Sequence, residues 1–223
     1  MSYAYSNCKN LKNIICGPNV TDFSFTYENC KNITGSPICG NSVINMAGTY
    51  KDCTNLTGSP VCGPLVNTFG TCYISNSSQT FNGAYTNCIK LTGTPVCGNQ
   101  VYYMNAAYYN CKNLSGAPAC GKKVTYMPYA YAYCYNLHGN AFFYSKTVSN
   151  VRGCFMGRNT SNRLNIYCYA NSTTNTVLHY NNSNTSLVAS SISWSNAGSY
   201  QYNTYYNIYI YPVNDVEAIA QQS

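Results

Sequence analysis

The sequence predicts a β-rich solenoid, in which short coils of similar sequence stack and share one hydrophobic core. One pattern, M-x-x-x-Y-x-N-C-x-N-L-T-G-x-P-V-C-G-x-x-V, recurs through residues 1–140 at a spacing of 22 or 23 residues. Its recurring apolar positions are the first residue, the tyrosine, both cysteines, the leucine, the residue before the second cysteine and the closing valine. One coil cannot bury them alone, so we expect all of them to point inward and neighbouring coils to cover one another.

The cysteines define the register of about six repeats. The first cysteine of each unit is Cys8, Cys30, Cys53, Cys88, Cys111 or Cys134, and the second is Cys16, Cys39, Cys62, Cys97 or Cys120. One step of 35 residues departs from the period, and we assign the excess to an insertion at 68–80, after which Phe81 opens the fourth unit. This period is typical of leucine-rich-repeat-like coils, so we expect a right-handed coil stack over residues 1–147.

Each part of the unit predicts a local structure. The L-T-G-x-P-V-C part, for example residues 56–62 and 91–97, predicts a short parallel strand. Proline lacks the N–H group that a central strand needs, so we expect this ladder to be broken or bulged at the proline of each unit. The Y-x-N-C part predicts a short helical or 3-10 turn, and the glycine after the second cysteine predicts a second turn.

The fourteen cysteines are predicted to be thiols. The two cysteines of a unit lie eight or nine residues apart, whereas zinc sites typically leave about two to four residues between paired ligands. Disulfides within a unit are the alternative for a secreted protein. Recurrence in every unit favours two columns of buried thiols, because free cysteine packs as a small hydrophobic residue. Cys72 and Cys154 fall outside both columns.

Composition and charge argue against several functional classes. Only 8% of the residues are charged, and the 12 lysines and arginines form no long basic run, so we expect no nucleic-acid partner. No apolar run is long enough to cross a bilayer, and residues 1–16 do not resemble an export leader. A glycoside hydrolase needs two facing carboxylates; Asp22 and Glu28 lie in adjacent units and could approach, but nothing in the repeat frames them as a pair. We therefore predict no enzyme, no cofactor and no metal site.

Tyrosines outside the repeat position are the predicted binding residues. Tyrosine occurs 25 times beside many Asn, Ser and Gly residues, a composition that suits recognition because the ring is large and stiff. The candidates stand at positions that differ between units, so they are less expected in the fixed core. The alternative to ligand binding is that they are partly buried or pack between subunits. They are Tyr102, Tyr103, Tyr109, Tyr126, Tyr129 and Tyr133. The insertion at 68–80 is a further candidate, because insertions in solenoids often fall on the binding face.

The two ends of the chain are predicted to differ. Residues 148–223 predict an irregular β-rich cap for the last coil, or alternatively a separate β-domain, with strands at 163–168, 176–180, 190–195 and 206–211. Three of these alternate apolar and polar residues, as half-buried strands do. Met1 already occupies the first repeat position, so the first coil exposes its stacking face. We expect an upstream segment, another subunit or a partner to cover that face.

The pattern M-x-x-x-Y-x-N-C-x-N-L-T resembles the BspA-type leucine-rich repeats of bacterial surface proteins. The second cysteine, the proline and the scarcity of charge depart from that family. The resemblance implies a recognition module of the kind found in surface adhesins and in tail-fibre-like proteins of gut phages. We expect the distal part of a phage tail fibre or virion appendage that binds a bacterial surface glycan or protein and forms a homo-oligomer, with a trimer favoured. A secreted or cell-surface bacterial adhesin and a purely structural subunit are the alternatives.

Overall fold

The computed structural model describes residues 1–74, 79–158, 161–169, 176–180, 187–191, 201–203 and 207–223. Within these ranges the chain is strand-rich, with small sheets and one short helix. The strands are β1 (Thr68–Ile74), β2 (Gln79–Gly83), β3 (Tyr103–Met104), β4 (Ser115–Gly116), β5 (Asn136–Leu137), β6 (Gly139–Phe143), β7 (Leu164–Tyr169), β8 (Thr176–Tyr180), β9 (Leu187–Ser191), β10 (Gln201–Asn203) and β11 (Ile208–Val213), and the helix is α1 (Val216–Gln221).

Successive units lie against one another in register. The residue that ends each unit forms a parallel bridge with its counterpart in the next unit. The bridged residues are Asp22, Asn45, Thr68, Tyr103, Tyr126 and Asn150. The units therefore span 1–22, 23–45, 46–68, 69–103, 104–126 and 127–150, and a seventh starts at Val151. Pairing of equivalent residues in successive units is what a solenoid requires. The likeness to leucine-rich repeats stays a prediction.

Unit four opens on Phe69, and the assignment of Phe81 to that position is wrong. Phe69 is fully buried and packs edge-on against the rings of Tyr85 and Tyr108. Strands β1 and β2 then form an antiparallel hairpin that leaves the core after Phe69 and returns at Ala84. Phe81 lies on β2 and is half-buried outside the main core. Both phenylalanines precede a glycine, Phe69 directly and Phe81 after one residue. The spacing of the cysteines alone therefore could not decide which of the two opens the unit.

The Y-x-N-C part forms consecutive tight turns, and the predicted helical or 3-10 turn is wrong. In unit one, alternate N–H groups donate within the turns, as Cys8 does to the Tyr5 carbonyl at 3.1 Å. The others donate to the next unit, as Asn7 does to the Glu28 carbonyl at 2.8 Å, and this forward direction recurs along the stack. Asn7 has a φ of 64°, a left-handed conformation that asparagine tolerates well. The recurring asparagine of the pattern meets this requirement.

The L-T-G-x-P-V-C part carries no strand at residues 56–62 or 91–97, so the predicted ladder is wrong there, while a two-residue parallel pair, β4 with β5, forms at the start of this part in units five and six. One backbone hydrogen bond per unit remains near its start, for example from Thr57 N–H to the Gly35 carbonyl at 3.0 Å. The proline removes a donor and the chain turns away before a ladder can form. The residue before the second cysteine also points outward: Ile15 is 56% exposed and Ile38 is 36% exposed.

A column of stacked tyrosines supplies the hydrogen bonds that this missing ladder would have made. The rings of Tyr27, Tyr50 and Tyr85 lie 5.5–5.7 Å apart and nearly parallel. The Tyr85 hydroxyl donates to the Val61 carbonyl at 2.8 Å and accepts from the Val61 N–H at 3.0 Å. Tyrosine is therefore required for its hydroxyl as well as for its ring. In unit seven the equivalent residue is Phe155, which has no hydroxyl. The backbone that such a hydroxyl would bind lies around Phe143, and it is already paired with β7 as part of β6.

The substitution Tyr85→Phe is expected to lower the free energy of unfolding by about 2 kcal/mol, because it leaves two backbone groups of Val61 without a partner. Urea denaturation followed by circular dichroism measures the effect. Tyr5→Phe is the matched control, since the Tyr5 hydroxyl makes no hydrogen bond to any described residue. Equal stability of the two variants would contradict this role for the hydroxyl.

The cysteines lie in two columns with different partners. First-position thiols donate to the tyrosine carbonyl of the preceding unit, as Cys53 Sγ does to the Tyr27 oxygen at 2.9 Å. Second-position sulfurs pack against the glycine backbone of the next unit. A Cβ atom on Gly63 would lie 2.8 Å from Cys39 Sγ and 2.9 Å from the Gly40 oxygen. The cysteine–glycine pair of the pattern therefore reflects this close approach between units.

Residues 151–158 repeat the turn geometry of the earlier units. Tyr131 N–H donates to the Cys154 carbonyl at 2.9 Å, as earlier tyrosines do to their next unit. Arg158 takes the position of the first cysteine and is 4% exposed. Its Nε donates to the Leu137 carbonyl at 3.1 Å, and the guanidinium also reaches the Asn162 and Asn207 carbonyls. This side chain ties the last unit to the strands that follow. The predicted boundary at residue 147 stays a prediction.

The C-terminal region forms a four-stranded sheet in the order β10-β11-β7-β6. Strands β6, β7 and β11 are parallel, and Ile166 and Ile210 of β7 and β11 point into the core. Strand predictions at 163–168, 176–180 and 206–211 agree with β7, β8 and β11 within two residues. The strand predicted at 190–195 overlaps the end of β9, and Ile192 and Trp194 lie outside the described residues. Asp215 caps α1, and Glu217 pairs with Lys122 at 2.7 Å.

Candidate functional site

The five carboxylates are all occupied by structural contacts. The Asp22 carboxylate accepts from the Ser24 N–H at 2.9 Å, and Glu28 pairs with Lys51 at 3.0 Å. Asp52 accepts from Asn87 Nδ2 at 2.7 Å, while Asp215 and Glu217 hold α1 and its ion pair. Asp22 and Glu28 thus serve different local contacts. General acid–base cleavage of a glycosidic bond would need two carboxylates facing one cleft.

Most of the thiols are free and inert. Thirteen of the fourteen cysteines, all except Cys168, carry free thiols, including Cys72 in the hairpin and the buried Cys154. Burial raises the pKa of Cys62 and Cys134 to about 12, and a thiol that keeps its proton is a poor nucleophile and metal ligand. Within the described residues no group of three or more His, Cys, Asp or Glu side chains could hold a metal ion.

Three of the predicted tyrosines are exposed, and we call them together the tyrosine platform. Tyr102, Tyr103 and Tyr126 are 40–44% exposed. Tyr103 and Tyr126 are bridged residues of successive units, so their rings stack at 5.7 Å with an 18° angle between planes. Lys123 Nζ lies 5.6 Å from the centre of the Tyr102 ring. The platform presents flat aromatic faces, phenol hydroxyls and one cation to solvent.

The other three predicted tyrosines form a separate cluster beneath the hairpin. Tyr109 stacks on Phe81 at 4.2 Å and meets Tyr133 edge-on at 5.4 Å. Tyr129 meets Phe81 edge-on at 5.1 Å and is only 7% exposed. The prediction that Tyr129 offers a binding surface is therefore wrong, because its ring lies over Gly153 of the next unit, where an added Cβ would come within 2.5 Å. Tyr109 and Tyr133 are half-buried.

A further aromatic row lies on the outward face of β6, β7 and β11 and was not predicted as a binding feature. The rings of Phe142, Tyr167 and Tyr211 stack at 5.3 and 5.0 Å. Arg163 lies 3.9 Å from the centre of the Tyr209 ring and donates to the Tyr211 hydroxyl at 2.7 Å. Strand alternation places these residues opposite the buried isoleucines, and that alternation was the signal that could have found them.

Comparison with protein-family models, curated proteins and solved structures finds no match to this chain. The function therefore rests on the arrangement of its own residues. Across the described ranges, no helix combines the length and apolar character that a membrane span requires.

Proposed function

We propose that the chain is a non-enzymatic recognition module, built as a leucine-rich-repeat-like solenoid. In this proposal it forms the distal part of a phage tail fibre or related virion appendage and binds a bacterial surface glycan or protein. The tyrosine platform carries the proposal: Tyr102, Tyr103 and Tyr126 are large, stiff and more than one third exposed. Such aromatic side chains are over-represented among the residues that dominate binding energy.

Partial exposure of the first unit supports an assembled state. Met1, Tyr5, Leu11 and Val20 are only partly buried. Their counterparts in unit three, Met46, Tyr50, Leu56 and Val66, are fully buried by their neighbours. Apolar side chains left in water favour association. We therefore include in the proposal that another subunit covers this face and that the chain forms a homo-oligomer, most simply a trimer. Nucleic acid and membrane insertion have no part in it.

Binding of the labelled, purified chain to intact gut bacteria, measured by flow cytometry over a concentration series, tests the proposal. The double variant Tyr103→Ala/Tyr126→Ala is expected to bind at least about tenfold more weakly, which corresponds to about 1.4 kcal/mol. Tyr3→Ala is the control, because Tyr3 is also exposed but lies in unit one, stacked on Phe25. Unchanged binding by the double variant, or no binding by the wild-type chain to any strain, would overturn the proposal.

A further inference from the structure

The hairpin of β1 and β2 forms a concave surface lined by residues other than those of the tyrosine platform, and β1 also pairs with β3, which carries Tyr103. It stands over units three to five and leaves a cleft of about 230 Å³ at its base, which we call the hairpin cleft. Its lining includes Lys51, Gln79, Thr80, Phe81, Asn87 and Tyr109. Insertions into repeat arrays often fall on the binding face, and this one creates the cleft.

One wall of the hairpin cleft is aromatic and fixed in position. Phe81 stacks on Tyr109 at 4.2 Å with 19° between planes, and Tyr129 supports Phe81 edge-on from below. Phe81 and Tyr109 are half-buried, so each keeps part of its surface open. An aromatic wall held by its neighbours binds an apolar ligand face with little loss of side-chain entropy.

The other walls carry groups that both donate and accept hydrogen bonds. Gln79 and Thr80 are exposed at the rim and offer an amide and a hydroxyl, and the Gln79 Nε2 also donates to Cys72 Sγ at 3.9 Å. Asn87 is held in one orientation, because its Nδ2 donates to Asp52 and its Oδ1 accepts from Asn110 Nδ2 at 2.9 Å. Its second amide hydrogen is not used in either bond. A sugar ring presents the complementary surface, with C–H groups on its faces and hydroxyls around its edge.

Charge pairing at the cleft selects an uncharged ligand. Lys51 is the cation at this site, and its Nζ lies 3.0 Å from the Glu28 carboxylate and 3.0 Å from Asn82 Oδ1. Side-chain exposures of 17% and 21% show that the pair is largely shielded. A carboxylate or phosphate on the ligand would compete with Glu28 and approach its negative charge. Because Glu28 already neutralises its charge, Lys51 can donate a hydrogen bond to a ligand but does not attract an anionic one.

We propose that the hairpin cleft binds one residue of an uncharged saccharide, with the ring against Phe81 and Tyr109 and the hydroxyls on Gln79, Thr80 and Asn87. The cleft volume equals that of about eight waters in the liquid, which suits one sugar ring and not a chain. This inference rests on the proposed recognition function and names its ligand class. The tyrosine platform then contacts other parts of the same bacterial surface.

Saturation-transfer NMR on the full chain, with the methyl glycosides of glucose, galactose, mannose and N-acetylglucosamine, tests this site. Methyl glucuronoside serves as the charged comparison. We expect at least one neutral glycoside to bind, and the glucuronoside to bind more weakly than its neutral counterpart. The double variant Gln79→Ala/Thr80→Ala should lower the affinity at least tenfold. The matched control, Thr94→Ala/Gln222→Ala, removes an exposed threonine and glutamine outside the cleft and should change nothing.

The outcomes separate this inference from the proposed function. If the Gln79/Thr80 variant binds sugar as the wild-type chain does, the cleft is not the site. The same conclusion follows if the wild-type chain binds bacteria but none of the neutral glycosides, or prefers the glucuronoside, and the recognition function then stands without this cleft. If the wild-type chain binds neither bacteria nor glycosides, both proposals fail.

Discussion

Raising the pH from 7 to 10 is expected to unfold the chain in the presence of a reductant that keeps its thiols free. Besides Cys30, which lies next to the first unit, six thiols in the core are at most 1% exposed, and burial raises the pKa of each above the ordinary value of 9.0. They are Cys53, Cys88, Cys111, Cys120, Cys134 and Cys154. Above pH 9 the unfolded chain releases these protons while the native chain keeps them. The native state then binds more protons, so rising pH favours unfolding.

The expected size of this effect follows from the number of thiols. At pH 10, which is one unit above the pKa of an exposed thiol, each buried thiol lowers the free energy of unfolding by about 1.4 kcal/mol relative to neutral pH. Six together reach roughly 8 kcal/mol, which lies within the range of about 5 to 15 kcal/mol that stabilises most domains. The buried hydroxyls of Tyr85 and Tyr108, whose pKa values are raised by burial, add to the loss at higher pH.

Urea denaturation at pH 7, 8.5 and 10, followed by circular dichroism with a phosphine reductant, measures the loss. Cys88→Ala is the informative variant, since it removes one titrating group. Its packing cost is present at every pH, so the difference between pH 7 and pH 10 should shrink by about 1.4 kcal/mol. A free energy of unfolding that stays constant from pH 7 to pH 10 would contradict the buried thiols.

Gly83→Ala is expected to lower the free energy of unfolding by at least about 3 kcal/mol, because overpacking against rigid backbone has no local relief. A Cβ atom at Gly83 would lie 1.9 Å from the Ala106 carbonyl oxygen and 2.6 Å from the Ala107 Cα. The Ala106 carbonyl cannot move freely, since it accepts from Thr86 Oγ1 at 3.0 Å. The whole hairpin would have to lift from unit five.

Thermal unfolding of Gly83→Ala beside Gly17→Ala separates this steric effect from the general cost of losing a glycine. At Gly17 an added Cβ would meet only Val20 Cγ2, at 3.6 Å, an ordinary contact distance. We expect a change within about 1 kcal/mol for the control. Similar melting temperatures for both variants would show that the hairpin does not pack as closely as described.

The register of the cysteines was predictable because they recur at equivalent positions of one pattern, whereas the residue that opens unit four was not. Cys30, Cys53 and Cys88 occupy equivalent sites, and the column of thiols follows from their spacing alone. The location of backbone pairing was not predictable in the same way. A short apolar run ending at glycine has strand composition in any context, whereas here the proline and the Tyr85 hydroxyl replace the ladder.

The candidate site was only partly predictable, for a related reason. A tyrosine between repeat positions can lie on the surface, as Tyr103 does, or under an inserted element, as Tyr129 does. In the sequence, both tyrosines stand at positions whose residue differs from one repeat unit to the next. What separates them is the path of the hairpin, which depends on Gly70 and Gly83 approaching the backbone of unit five. Contacts between residues so far apart in sequence leave no periodic signal.

The forward direction of the turn hydrogen bonds gives the stack a polarity. Each unit donates N–H groups to the carbonyls of the next, so the Ser2, Ala4 and Ser6 carbonyls receive none of these turn bonds. Peptide dipoles aligned in this way add, as they do in a helix. Two copies placed first unit to first unit would bring acceptors against acceptors. The two faces of each unit are therefore chemically different, one offering N–H donors and the other carbonyl acceptors, so units can stack in one orientation only.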